Sequence, residues 1–229
     1  MALAMIVALP GSGAFPARAE GWVPRFGLEA GADLARMSPS DDLVRTSEHW
    51  TAGGVAGLLA EWGPAPAWSI GVAPRWERLV GRSTGAITLA PDRFDFDHRI
   101  LFDRIAIPAR VVWLPFGRGL MLEAGGGAAW IARARRDARF SGRPTVTGTR
   151  PATPAATIFE GIGTFSDDDV THLFHRWDAA LGGGIGWEVP FGDHRLRLQA
   201  RYQHGLVDLA RDGNATRLRS AEVTAGMLW

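Results

Sequence analysis

Even positions from Phe26 to Leu34 are apolar (Phe26, Leu28, Ala30, Ala32, Leu34), while the odd ones between and beside them include Arg25, Glu29 and Asp33. A period of two gives an extended chain one greasy face and one polar face, the pattern of a β-strand. The alternation returns in WSIGVAPRWE, where Trp68, Ile70, Val72 and Trp76 oppose Ser69, Arg75 and Glu77, and in RIAIPARVVW, where Ile105, Ile107, Val111 and Trp113 oppose Arg104 and Arg110. Leu120, Leu122, Ala124, Ala128 and Trp130 oppose Glu123, Gly125, Gly127 and Arg133. RWDAALGGGIGWEV sets Trp177, Ala179, Leu181, Ile185 and Trp187 against Arg176, Asp178 and Glu188. LRLQARYQHGL sets Leu196, Leu198, Ala200 and Tyr202 against Arg197, Gln199, Arg201 and Gln203, and AEVTAGMLW sets Ala221, Val223, Ala225, Met227 and Trp229 against Glu222 and Thr224. With the less polar WTAGGVAGLLAEW of 50–62, eight strands are predicted.

Each segment runs about ten residues or more, long enough to cross a bilayer at a tilt and longer than the usual strand of a soluble sheet. Connections alternate as well. EWGPAP, LPFGRG and VPFGDH follow the second, fourth and sixth strands as tight turns, whereas longer polar stretches follow the odd strands, the longest at 136–170. Short turns on one side and long loops on the other is the pattern of a membrane barrel. Outside the first residues no apolar run is long enough for a transmembrane helix, and IAIPARVVWLPF is interrupted by Arg110. In lipid only helices and closed barrels satisfy the backbone. The expected fold is therefore all-β: an eight-stranded antiparallel up-and-down transmembrane β-barrel.

The chain opens on ALAMIVAL at 2–9 and reaches ARA at 17–19, the small-x-small pattern of a signal-peptidase site, so 1–19 reads as a signal peptide and 20–229 as the barrel. Export and barrel together predict the outer membrane of a Gram-negative bacterium. The 25 basic side chains, all arginine, nearly balance 24 acidic ones, which gives no argument for a nucleic-acid partner. Cysteine is absent, which excludes thiolate nucleophiles and thiolate metal sites.

On such a barrel the tryptophans sort into two interfacial girdles: Trp62, Trp113, Trp187 and Trp229 beside the short turns or the chain end, and Trp50, Trp76, Trp130 and Trp177 toward the long loops. The opposite face becomes a lumen that eight strands make just wide enough for side chains to fill. Its charges would be Glu29, Asp33, Arg75, Glu77, Arg104, Arg110, Glu123, Asp178, Glu188, Arg197, Arg201 and Glu222, with signs roughly balanced. Buried charges must be paired, so an arginine-carboxylate network is expected to plug the barrel. Pro74 and Pro108 interrupt ladders and are expected at bulges or at ends of pairing. The glycines at 125–127 and 182–184 are expected where large lumen side chains need room or the wall bends, rather than as a phosphate loop. Leu198 is expected to meet acyl chains near mid-membrane.

Catalytic chemistry has two candidate locations. His204 in YQHGLVDL lies on a late strand, as in lipid A deacylases, but on the lipid-facing parity and without a serine at the expected offset. His172 and His175 lie near Ser166, Asp167, Asp168 and Asp169, a second candidate cluster that would supply a base and a nucleophile. The SDDD run lacks the spaced ligands and glycine of a calcium loop, and NAT at 214–216 matches a glycosylation sequon that chance also supplies. No cofactor or metal is expected.

Three stretches resemble a known family: DRIAIPARVVWLPFGRGLMLEAGGGAAWI, WDAALGGGIGWEVPFG and LRLQARYQHGLVDL are similar to strands of the PorT-like outer-membrane β-barrel family. The resemblance spans about Arg25 to Trp229 and implies a small eight-stranded barrel of the OmpA/OmpX type; the chain departs from it in using Arg and Trp where the family favours Lys and Tyr. A non-enzymatic structural, binding or adhesion role through surface loops or within an envelope complex is expected. The alternatives are a lipid-modifying hydrolase, a narrow ion or solute channel and a soluble lipocalin-like barrel. Expected partners are outer-membrane lipid and lipopolysaccharide, and the barrel-assembly machinery through the last strand ending in Trp229.

Overall fold

Eleven strand segments appear in the computed structural model, which describes residues 24–39, 46–65, 67–89, 92–116, 119–142, 164–211 and 216–229. The expected signal peptide at 1–19 lies outside the described residues. The segments are β1 (Pro24–Pro39), β2 (Thr46–His49), β3 (Thr51–Ala65), β4 (Trp68–Val72), β5 (Arg75–Leu89), β6 (Asp92–Trp113), β7 (Gly119–Gly142), β8 (Thr164–Asp169), β9 (Trp177–Phe191), β10 (His194–Gly205) and β11 (Thr216–Leu228). Three neighbouring couples, β2 with β3, β4 with β5 and β8 with β9, each run as one stave, which makes eight staves in all. Every neighbouring pair is antiparallel, and β1 pairs with β11 from Gly27 opposite Leu228 to Pro39 opposite Thr216. The sheet is closed.

The closure has a measurable stagger. Registered partners lead from Ala129 through Ala106, Arg75, Gly57, Glu29, Gly226, Arg197 and Glu188 back to Gly119, ten residues away on β7. Such a shear tilts the strands and sets the barrel's width. The β9–β10 hairpin turns on two residues, with Gly192 at φ +62° supplying the left-handed conformation that its tight loop requires.

Alternation ends where the bilayer ends, but the ladder does not. Strands β5 and β6 stay paired as far as Leu89 opposite Asp92, and β6 and β7 as far as Phe94 opposite Gly142. The polar stretch after the third predicted strand is therefore mostly strand rather than loop. Beyond the membrane both faces of a sheet can be polar, so the period of two fades while the pairing persists. A bulge between the Asp103–Arg133 and Arg104–Ile131 pairs inserts Ala132, which leaves Ile131 and Ala134 both buried inward.

The two prolines resolve differently. Pro74 lies in the gap between β4 and β5, and its carbonyl still accepts Leu58 N–H at 2.9 Å. Pro108 lies inside unbroken β6, opposite Gly127 and without a register shift, so no bulge accommodates it. Its missing N–H faces the same gap, where Ala73 N–H donates to the Pro108 carbonyl at 3.0 Å. One interruption in the neighbouring stave thus serves both residues.

The outer surface is apolar. Leu58, Ile107, Leu181, Leu198 and Val223 are all more than half exposed. Ten residues separate Trp177 from Trp187 on β9, and this span lies between the two girdles. Trp50, Trp76, Trp113, Trp130, Trp177, Trp187 and Trp229 are exposed, and Trp62 is half-buried at the end of the Trp62–Ile70 pairing. Trp68, outside the two expected girdles, stacks on Trp113 with centroids 5.6 Å apart. Leu198 registers directly opposite Trp187, so it stands at the turn-side girdle and not at mid-membrane.

Candidate functional site

Inward residues of the eight staves fill the lumen in three layers. Next to the short turns are two small apolar clusters, Leu59 with Ala73 and Leu228, and Val112 with Leu114 and Met121. The middle is charged. At the loop end an apolar cap closes the barrel, built from Leu79, Phe102, Ile131 and Leu218 of the wall together with Val170, Phe174 and Leu209 from the connecting segments. Phe102 and Phe174 meet edge to face at 5.0 Å. A single 3-10 turn, Thr171–Leu173, is held over this end: Thr171 donates to Asp169 Oδ1 through its hydroxyl at 2.5 Å and its N–H at 3.0 Å, and its Oγ1 accepts Ala134 N–H at 2.9 Å. Those two donations keep the Asp169 carboxyl below its ordinary range.

All twelve charged residues assigned to the lumen by parity are buried there, and Glu61 joins them. Arg75 donates to Glu77 at 2.6 Å, Glu222 at 2.9 Å and Glu29 at 3.4 Å. Arg104 joins Glu77 to Asp178, donating to the latter at 2.7 Å. Arg201 bridges Glu123 and Glu222, the second at 2.9 Å. Toward the turns, Arg197 holds Glu61 through both terminal nitrogens at 2.5 and 3.0 Å and Glu188 at 2.6 Å, while Arg110 reaches Glu61 at 2.8 Å. Gln199 adds neutral bonds to Glu29 at 3.0 Å and Thr224 at 2.8 Å.

The signs are not balanced. Eight buried carboxyls (Glu29, Asp33, Glu61, Glu77, Glu123, Asp178, Glu188, Glu222) face five buried guanidinium groups (Arg75, Arg104, Arg110, Arg197, Arg201). Asp33 stands apart from the network, with neither carboxyl oxygen hydrogen-bonded and Glu222 as its registered neighbour. Glycines make the room: a Cβ on Gly57 would come within 2.3 Å of Arg75 Cβ, and one on Gly184 within 2.9 Å of Arg201 Cγ and 3.0 Å of Glu123 Oε1. A cavity of about 50 Å³ remains among Arg104, Arg110, Glu123, Asp178 and Arg201. Arg110 Nε, Glu123 Oε2 and Asp178 Oδ1 have no hydrogen-bond partner there. Its remaining walls are mostly alanine and glycine of β6, β7 and β9, and a void of that size beside unpartnered polar atoms has room for a few water molecules.

Among the described side chains the catalytic candidates do not come together. His204 lies on the outer face of β10, registered with Leu181 and Arg219. His172 and His175 are exposed, and the side chains of Ser166, Asp167 and Asp168 lie outside the described ones. Among the described residues no cluster of His, Asp or Glu is able to hold a metal ion, and no helix is long and apolar enough to cross a membrane. The sequon at 214–216 falls mostly outside the described residues.

A closed ring with a wet, charged inside, an apolar outside and two tryptophan girdles is a membrane-spanning barrel of the outer-membrane type. Among solved structures the chain is similar to Neisserial surface protein A (14% identity, 89% of this chain and 95% of that one, TM-score 0.41). It is likewise similar to OprG from Pseudomonas aeruginosa (11%, 91% and 97%, TM-score 0.42) and to Ail, the attachment invasion locus protein of Yersinia pestis, in complex with the heparin analogue sucrose octasulfate (13%, 90% and 99%, TM-score 0.41). No family model and no curated protein matches the chain.

Proposed function

We propose that this chain is a non-enzymatic outer-membrane protein whose wall is the scaffold and whose loop-side surface does the binding, as an adhesive or envelope-organising component. The observation that carries the reading is the filling of the lumen. Three stacked layers, apolar, charged and apolar, fill the lumen with side chains and leave only a small cavity beside the charged groups. A barrel filled in this way has its surfaces to work with. Among the described residues one such surface is the sheet of β5, β6 and β7, which extends well past the Trp76–Ile105–Trp130 row. Membership of the PorT-like family fits the strand segments quoted above. Trp229 pairs with Phe26 through both backbone bonds, at 2.9 and 3.3 Å, which ties β11 to β1 at the turn side.

Two measurements test this reading. Membrane fractionation with heat-modifiable gel mobility should find the protein in the outer membrane as a compact barrel. Planar-bilayer recording of the same protein should show no unitary conductance. Steady channel steps in the wild type would overturn the filled-lumen reading and make the chain a channel, whereas steps seen only in Phe102→Ala or Phe174→Ala would support it.

A further inference from the structure

On the outer face of β11 the lipid-facing positions run Trp229, Met227, Ala225, Val223 and Ala221, and then change abruptly to Arg219 and Arg217. The neighbouring strands change at the same row. Tyr202, Ala221 and Leu34 register across β10, β11 and β1, and two residues further out His204, Arg219 and Arg36 do the same. Ten residues separate Arg219 from Trp229, the spacing of Trp177 from Trp187. The cationic row is therefore level with the loop-side tryptophan girdle, at the depth of lipid headgroups.

Charge pairing distinguishes Arg219 from its neighbour Arg36 and from the rim arginines of β5. On β5 and β6, Arg78 is paired with Asp103 and Arg82 with Asp97, each at 2.8 Å. Arg36 has Glu48. For Arg219 no carboxylate is registered alongside, and its Nε is buried without a hydrogen-bond acceptor. A guanidinium facing lipid at headgroup depth is tolerated, but it is stabilised by an anion whose oxygens match its fork of donors.

We propose that Arg219 and Arg217, flanked by His204 and Arg36, form a binding site for the phosphate of an outer-leaflet lipid, the phosphorylated glucosamine of lipid A. The guanidinium groups hold the phosphate. The acyl chains lie along Tyr202, Ala221, Val223 and Leu34 directly beneath, three of which are strongly exposed. This rests on the reading that the loop end faces the outer leaflet.

The test uses the full barrel refolded into phosphatidylcholine vesicles, with its urea midpoint followed by heat-modifiable mobility, alone and with lipid A, dephosphorylated lipid A or inorganic phosphate. Lipid A should raise the midpoint of the wild type, and the other two additions should not. The double variant Arg217→Ala, Arg219→Ala should fold at the wild-type midpoint in plain vesicles and lose the rise, whereas Arg78→Ala should keep it. If the double variant does not fold, Arg219→Gln takes its place with the same expectation. Retention of the full rise by the variant, or an equal rise from dephosphorylated lipid, sinks the site. An equal rise from inorganic phosphate replaces it by a simple anion site. Failure of the wild type to fold in plain vesicles strikes the barrel reading instead, and that arm contains no lipid A.

Discussion

Replacing Val223 by arginine would put a cation where the wall meets the middle of the acyl layer. Val223 is 55% exposed on the outer face of β11, four residues from Arg219 and six from Trp229. With a rise of about 3.3 Å per residue and a tilt near 40°, it lies ~10 Å below the loop-side girdle and ~15 Å above the other. Arginine on the lipid face costs roughly 2–4 kcal/mol at mid-membrane and about 0–1 kcal/mol near an interface. Little packing is lost, because the valine side chain points away from the lumen. Leu198→Arg is the matched control: Leu198 is as exposed, at 57%, but registers with Trp187. The ten-residue stagger, spread over eight staves, places it only about one residue above that ring. Urea titration of both variants in phosphatidylcholine vesicles should therefore give a clearly larger loss for Val223→Arg, by about 2 kcal/mol. Equal losses at the two positions would refute the depth assignment, and with it the claim that this face lies in acyl chains.

Two further outcomes follow from the interior and from the cap. Arg104→Ala leaves the Glu77 and Asp178 carboxylates buried without their shared partner, and a broken buried pair should cost ~3–5 kcal/mol in the same titration; a loss below about 1 kcal/mol would mean that the lumen is wetter than its packing implies. Because the Asp169 carboxyl sits below its ordinary value in the folded state, its contribution to the turn over the barrel end is present at neutral pH. The contribution fades as pH falls below ~3.9 and is gone below the lowered folded value. Hydrogen exchange at the Thr171 amide should speed up over that window in the wild type and be pH-independent, beyond the intrinsic exchange, in Asp169→Asn.

Parity carried most of what was legible in the sequence. A strand half in lipid and half in a wet lumen must alternate, so the lumen charges from Glu29 to Glu222 share one face without any knowledge of their partners. Glu61 escaped because 51–62 has no other charged residue and reads as an apolar run; its odd number, opposite in parity to exposed Leu58, was the available signal. The partners themselves are invisible to parity, since Arg197 finds Glu61 across 136 residues of chain. The extension of β5, β6 and β7 was hidden because both of its faces meet water. The cap was hidden for another reason: Val170, Phe174 and Leu209 lie in irregular segments with no period at all. Depth was misjudged for Leu198 because the stagger of the ring is a property of closure, absent from any single strand.

That stagger is guarded from within. Sliding β11 past β1 by two residues would keep every greasy side chain on the outer face, so the alternation has no means of noticing the mistake. The guanidinium groups notice. Arg75 and Arg201 each draw one carboxylate from the opening strand, Glu29, and one from the closing strand, Glu222. After a two-residue slip those four groups no longer meet, in surroundings where an unmatched charge is expensive. The inside of the barrel thus works as a proofreader of its own seam, accepting the ring only when the ends of the chain arrive in step.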